Sequence, residues 1–220
     1  MKQLLSFIVL LFLAYSAHAD GCSKLLGNGT KANPFKICTL AQLLNMELDA
    51  TASYELTSDI DASSTRLMVG GFAPLFSQTT VAFQGSLEGN GHVISNLVIN
   101  RPKETNVAFI SACEHCSIKN LTLQNVNVIG GGYTAGLIAD YSVEDSALNM
   151  NADPQIENVK VSGQINGDYR AGGVFGEVYN MSADLSDGVF IKKNVTFEGI
   201  VTETVLHSSS SQMTGSYEHD

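Results

Sequence analysis

Ile118-Lys119-Asn120-Leu121-Thr122-Leu123 has near copies along the chain: Ile94-Ser95-Asn96-Leu97, Ile156-Glu157-Asn158-Val159 and a weaker Lys192-Lys193-Asn194-Val195. After each Asn the apolar residues alternate, as in Leu97 and Ile99, Leu121 and Leu123, Val159 and Val161, Val195 and Phe197. Alternation at period two is the mark of a half-buried strand, and recurrence of one short motif is the mark of a repeat architecture. A second theme follows each Asn strand: Val107-Ala108-Phe109-Ile110, Ala135-Gly136-Leu137-Ile138 and Gly172-Gly173-Val174-Phe175-Gly176. Each unit therefore holds at least two strands.

Repeats of about 20 to 25 residues built from strands predict a β-solenoid, in which each coil buries its apolar face on its neighbours. The expected fold is all-β: a right-handed parallel β-helix with an N-terminal cap. Stacked coils lie about 4.8 Å apart, so Asn96, Asn120, Asn158 and Asn194 are expected to form one hydrogen-bonded ladder. The step from Asn96 to Asn120 reads as the basic coil, and the longer steps to Asn158 and Asn194 as coils carrying insertions at 141–154 and 180–191. An antiparallel sandwich would also use short strands, but it has no reason to repeat a tetrapeptide in register.

Outward from these repeats, residues 20–83 lack the Asn theme and read as a cap with the first strands, followed by coils over 84–207 and a polar tail over 208–220. Within the cap, Thr39 is a candidate N-cap for a short helix over Leu40–Leu44, and Phe72-Ala73-Pro74-Leu75-Phe76 is apolar enough to cover the first coil. Residues 1–19 have the layout of a cleavable secretory signal: Lys2, an apolar stretch from Leu4 to Ala14, then Ala17-His18-Ala19. The apolar stretch is too short for a membrane anchor, and no span is expected after cleavage, so the predicted destination is the cell surface or the medium.

The formal charge of −10, with no basic stripe, excludes nucleic acid as a partner. Four cysteines in an exported chain suggest two local disulfides, Cys22–Cys38 and Cys113–Cys116. The Cys-Glu-His-Cys spacing also suits zinc or redox chemistry, yet one Cys-x-x-Cys without a second ligand pair cannot close a tetrahedral metal site. No metal or cofactor is expected.

The run Gly29-Thr30, Asn33-Pro34-Phe35, Tyr54-Glu55-Leu56-Thr57-Ser58-Asp59-Ile60-Asp61, Phe72-Ala73-Pro74-Leu75 and Phe83-Gln84-Gly85-Ser86-Leu87-Glu88-Gly89-Asn90-Gly91 resembles the head of bacterial GLUG-repeat surface proteins. It is also similar to the non-catalytic N-terminal region of IgA-protease-like metallopeptidases. Gly173-Val174-Phe175-Gly176 fits the repeat ending of that family, whereas Gly136-Leu137-Ile138-Ala139 departs at its last position. The resemblance implies a parallel β-helix on a cell surface or released from it, adhesin-like, with Gly136, Gly173 and Gly176 as repeat-end glycines and no catalytic residues.

None of His18, His92, His115, His207 and His219 has His-Glu-x-x-His spacing, which argues against a metallopeptidase. A polysaccharide-active enzyme is the runner-up, because parallel β-helices host such sites; it would need clustered carboxylates, and Asp59 with Asp61 or Asp168, Asp184, Asp187 and Glu177 near Arg170 are the candidates. A purely structural spacer is the third reading. The favoured reading is a non-catalytic module that binds a glycan or a protein on a surface through loops 130–134, 141–154, 166–170 and 180–191, where Tyr133, Tyr141, Tyr169 and Tyr179 are the candidate contacts.

Overall fold

The computed structural model describes residues 22, 24–77, 81–143, 155–180 and 192–204, with the side chains of 143, 179 and 180 excepted. The expected signal segment 1–19, the tail 208–220 and the greater part of both expected insertions lie outside the described residues.

The elements follow in chain order: β1 (Phe35–Ile37), α1 (Leu40–Leu44), β2 (Ser53–Leu56), β3 (Ile60–Asp61), β4 (Ser86–Glu88), β5 (Val93–Ser95), β6 (Val98–Arg101), β7 (Ile110–Glu114), β8 (Ser117–Gly130), β9 (Tyr133–Ala135), β10 (Ile138–Val143), β11 (Ile156–Gly167), β12 (Arg170–Gly172), β13 (Phe175–Asn180) and β14 (Lys192–Glu203). Every pair between these strands is parallel. They form three sheets, and in the two smaller ones the order is β7-β10-β13 and β9-β12. The large sheet runs β1-β2-β4-β8-β11-β14, with β3, β5 and β6 pairing alongside. From β8 onward the chain passes through the sheets in a fixed sequence, so β8-β9-β10 and β11-β12-β13 are successive tiers of one stack.

Inward positions of each tier meet in one apolar core that includes Leu87, Ile94, Ile118, Leu121, Leu123, Val159 and Val161. Aromatic side chains fill its first tiers, where Phe76 stacks on Phe83 at 4.7 Å and Phe72 on Phe109 at 5.8 Å between ring centres. Phe72, Leu75 and Phe76 are therefore part of the core itself, and Leu75 also bridges Ile110 in parallel fashion. Helix α1 is capped as its sequence predicts, Thr39 Oγ1 accepting from the Gln42 amide at 3.2 Å. Residues 35–61 already contribute parallel strands to the large sheet, so the region expected to be a cap is also its first two tiers.

The Asn residues occupy bends in the left-handed backbone region, with φ of 53° at Asn120, Asn158 and Asn194 and 61° at Asn96. Asn tolerates this region better than other residues with a Cβ. Asn194 Nδ2 donates to Asn158 Oδ1 at 2.8 Å, and Asn158 Nδ2 to Asn120 Oδ1 at 2.9 Å. Below them, Asn120 Nδ2 donates to Glu88 Oε1 at 2.9 Å.

Asn96 belongs to a different ladder from the one expected. Ser95 pairs with Gln124, so the neighbour of Asn96 is Asn125, whose Nδ2 donates to Asn96 Oδ1 at 2.8 Å. Asn96 itself donates to Asp61 Oδ1 at 3.0 Å. The interval from Asn96 to Asn120 thus joins two separate bends of the chain, and the matching residue for Asn96 lies five positions later.

The outer face of the large sheet carries a second ladder, of charge. Lys36, Glu55, Glu88, Lys119, Glu157 and Lys193 are consecutive register partners across six strands. Lys36 pairs with Glu55, and Glu157 lies 3.7 Å from Lys119 and 3.1 Å from Lys193.

Candidate ligand-binding groove

Strands β9 and β12 meet β10 and β13 at a concave corner. Val107 and Thr134 point into the core, so Ala108 and Ala135, which follow them, point outward; both are nevertheless fully buried. With Ala139 they form a second apolar cluster, separate from the main core, against which Tyr133 packs. These alanines fill the bottom of the corner beneath the outward side chains, which form a shallow surface groove along the stacking direction.

The close packing of the corner continues in the next tier at Gly176. A Cβ on Gly176 would stand 2.7 Å from Ala139 O and 3.0 Å from the Thr134 amide nitrogen, so the corner closes only on a residue without one. Gly136 and Gly173 serve the inside of the same corner: a Cβ on Gly136 would meet Val161 Cγ1 at 2.5 Å, and one on Gly173 would meet the Phe197 ring at 2.1 Å. The glycines quoted in the sequence thus sit where adjacent strands approach most closely.

One wall of the groove is the outward row Asn106, Tyr133, Arg170, fixed by the partners Val107 with Thr134 and Tyr133 with Arg170. The other wall is Ala112, Asp140, Glu177, which are partners across β7, β10 and β13. Polar contacts cross between the walls in two places. The Asn106 side chain hydrogen-bonds to Asp140, and the Arg170 guanidinium pairs with Glu177. The rings of Tyr133 and Tyr169 lie 5.8 Å apart at a tilt of 57°. Arg170 Cζ is 5.9 Å from the first ring centre and 5.5 Å from the second, within cation–π range of both. Burial pushes the Asp140 carboxyl above the ordinary aspartate range, and the Asn106 hydrogen bond opposes that shift. At its N-terminal end the groove adjoins a cavity of about 570 Å³ lined in part by Lys103, Asn106, Ser111 and Ala112.

The four tyrosines singled out in the sequence separate under this geometry. Tyr133 is half-buried, and Tyr169 is 39% exposed at the lip. Tyr141 contradicts its expected role: it is 4% exposed, faces the core from β10 in contact with Phe175, and burial raises its hydroxyl pKa to about 12. Nor does it begin an insertion, because 141–143 continue strand β10, whose other half buries Ile138. Tyr179 is a register partner of Ser142, and its side chain lies outside the described residues. Of the loops named with them, Tyr133 and Arg170 are strand positions, and 144–154 and 181–191 lie outside the described residues.

Among the carboxylates, Asp184 and Asp187 also fall outside. Asp59 accepts from the Val93 amide and the His92 ring, each at 3.0 Å, and Asp61 from Asn96 and Ser63. These bonds hold both below the ordinary aspartate range, and those from His92, Val93 and Asn96 tie the second tier to the third. Sequence reading placed Glu177 near Arg170 but missed Asn106 and Asp140. The signal was present as an interval: Asp140 and Glu177 are separated like Tyr133 and Arg170, the register step of those two sheets. Both cysteine pairs are bonded, Cys22 to Cys38 and Cys113 to Cys116. Among the described residues no group of three His, Cys, Asp or Glu is placed to hold a metal ion, and no helix is long and apolar enough to cross a membrane.

No family model matches the chain, and no solved structure matches it. It is similar to a halomucin of Haloquadratum walsbyi, 38% identical over 160 residues, which cover 68% of this chain and 2% of the relative. It is also similar to a putative Gly-rich membrane protein of Evansella cellulosilytica, 29% identical over 156 residues, covering 65% of this chain and 18% of the relative. The chain therefore spans a small fraction of either relative's length.

Proposed function

We propose that the chain is an exported, non-catalytic surface module that winds as a right-handed parallel β-helix and holds a glycan or a protein in the groove between β9-β12 and β10-β13. The observation that carries this reading is the cluster of Tyr133 and Arg170, on outward strand positions, with Tyr169 in the bend just before β12, and with Glu177 fixing the guanidinium. Aromatic and Arg side chains held rigidly by strands contribute most per residue at binding surfaces, because little rotamer entropy is left to lose. The parallel register, with β8-β9-β10 and β11-β12-β13 each giving one strand to each of the three sheets, supports the β-helical winding. The names of the two relatives, a halomucin and a Gly-rich membrane protein, support a place at the cell surface, as does the signal-like sequence of residues 1–19. The likeness to GLUG-repeat surface proteins points the same way.

A second reading, a polysaccharide-active enzyme, rests on Asp140 and Glu177. They sit side by side in adjacent strands, one with its carboxyl pushed toward the neutral form and one paired with Arg170. A binding screen against glycans and matrix proteins, with degradation followed in the same wells, separates the two. Saturable binding without turnover that weakens in Tyr169→Ala is the expected result. Turnover abolished by Asp140→Asn would replace the module with the enzyme.

A further inference from the structure

The groove has a direction, a polar lining and a charge, and together these restrict its occupant. Its polar groups recur at the strand spacing, about 4.8 Å per tier, along the stacking axis. Asn106, Tyr133 and Arg170 follow one another on one side, and Ala112, Asp140 and Glu177 on the other. Such a row matches an extended polymer lying lengthwise. Ala108, Ala135 and Ala139 fill the corner and are fully buried, and Gly176 packs tightly in the next tier, so the face offers no deep apolar hole for the large side-chain anchors that peptide partners use.

The polar groups are mixed. Arg170 donates, the carboxylates of Glu177 and Asp140 accept, and the Asn106 amide does both. Hydroxyl groups, which donate and accept at once, suit such a lining, and the Tyr133 and Tyr169 rings offer apolar faces to the C–H side of a sugar ring. One guanidinium stands against two carboxylates in the groove, within a chain of formal charge −10. Both the local and the long-range field therefore repel a polyanion.

Resting on the reading that this face contacts the ligand, we propose that the groove binds an uncharged glycan chain laid along the stacking axis, its ring faces against Tyr133 and Tyr169 and its hydroxyls on Asn106, Arg170 and Glu177.

The full chain is titrated calorimetrically with four probes: dextran and mannan as neutral polymers, polygalacturonate as a uronate, and heparin as a sulfated one. At least one neutral polymer is expected to bind with little dependence on salt. Tyr169→Ala should weaken it at least tenfold and Glu177→Gln several-fold, with unchanged thermal unfolding of both variants as the control for folding. Binding of polygalacturonate or heparin alone, lost in Tyr169→Ala and in high salt, would overturn the neutral class and leave the groove as the contact face. Binding of a neutral polymer that ignores both substitutions would overturn the groove itself. Failure of all glycans, with Tyr169-dependent binding of a matrix protein, would overturn the glycan and keep the surface-module reading.

Discussion

Replacing Asn158, the middle of the Asn ladder, by Ala and by Gly separates two effects that the structure superimposes. Either change removes the bond Asn158 donates to Asn120 and the one it accepts from Asn194. Asn158 is exposed, so these bonds fall at the low end of the usual range, about 0.5 kcal/mol each, or about 1 kcal/mol together. The backbone at φ of 53° then distinguishes the variants. An L residue such as Ala is strained there by about 1–2 kcal/mol, while Gly is not strained but costs about 0.5–1 kcal/mol through its freer unfolded chain. Ala is therefore expected to destabilise by about 2–3 kcal/mol and Gly by about 0.5–1 kcal/mol less than Ala. This reverses the ordinary ranking within a strand, where Gly is the worse residue. Urea unfolding followed by circular dichroism measures both. In a domain of this size each kcal/mol corresponds to about 2–4 °C in Tm, so the two variants are resolvable by melting as well. An Ala variant at least as stable as the Gly variant would refute the argument, because the bend would then not be held in the left-handed region in solution.

Tyr141→Ala is expected to cost about 3–5 kcal/mol, as for a large aromatic removed from a packed core, whereas Tyr169→Ala at the groove lip should change stability by less than about 0.5 kcal/mol; equal denaturation midpoints for the two would show that Tyr141 is not a core residue. The Asp140 carboxyl is raised in the fold, so its ionisation works against folding as pH rises from the ordinary aspartate range through the raised value, while below that range it is neutral in both states and has no effect. Asp140→Asn should accordingly be more stable than the parent at pH 7 by an increment that vanishes near pH 3; Glu177, which lies beside it on the adjacent strand, keeps its partner Arg170 in both proteins. An increment of equal size at both pH values would assign the effect to packing instead of charge.

Much of the architecture is written locally. Alternation after each Asn placed β8, β11 and β14, and Gly173 to Gly176 marked the corner at which β12 gives way to β13. The registration between tiers was less legible. Ile94-Ser95-Asn96-Leu97 and Ile118-Lys119-Asn120-Leu121 look alike because each passes through a bend with positive φ, but a bend is a local requirement and says nothing about which bend lies above it. Leu123-Gln124-Asn125-Val126 is the partner of the first, and its resemblance was hidden within the 14 residues of β8. The groove failed for a related reason. Tyr141 and Asp140 are neighbours in sequence with opposite fates, and which of them faces the core depends on the corner at Ala139, where strict alternation gives way. The pairing of Asp140 with Asn106, and of Glu177 with Arg170, exists only because that corner is concave.

The charge ladder on the large sheet acts as an address for each tier. Its order is plus, minus, minus, plus, minus, plus from Lys36 to Lys193, and four of its five junctions join opposite signs. At the remaining junction, Glu55 beside Glu88, the second carboxylate is occupied by Asn120 Nδ2 and the Asn90 amide, and the first by Lys36. Exchanging the Glu157 strand with the Lys119 strand would set Glu157 beside Glu88, and exchanging it with the Lys193 strand would set Lys193 beside Lys119. Strands whose apolar faces are nearly interchangeable are thus told apart by what they present to water, and a stack of similar parts acquires a single permitted order.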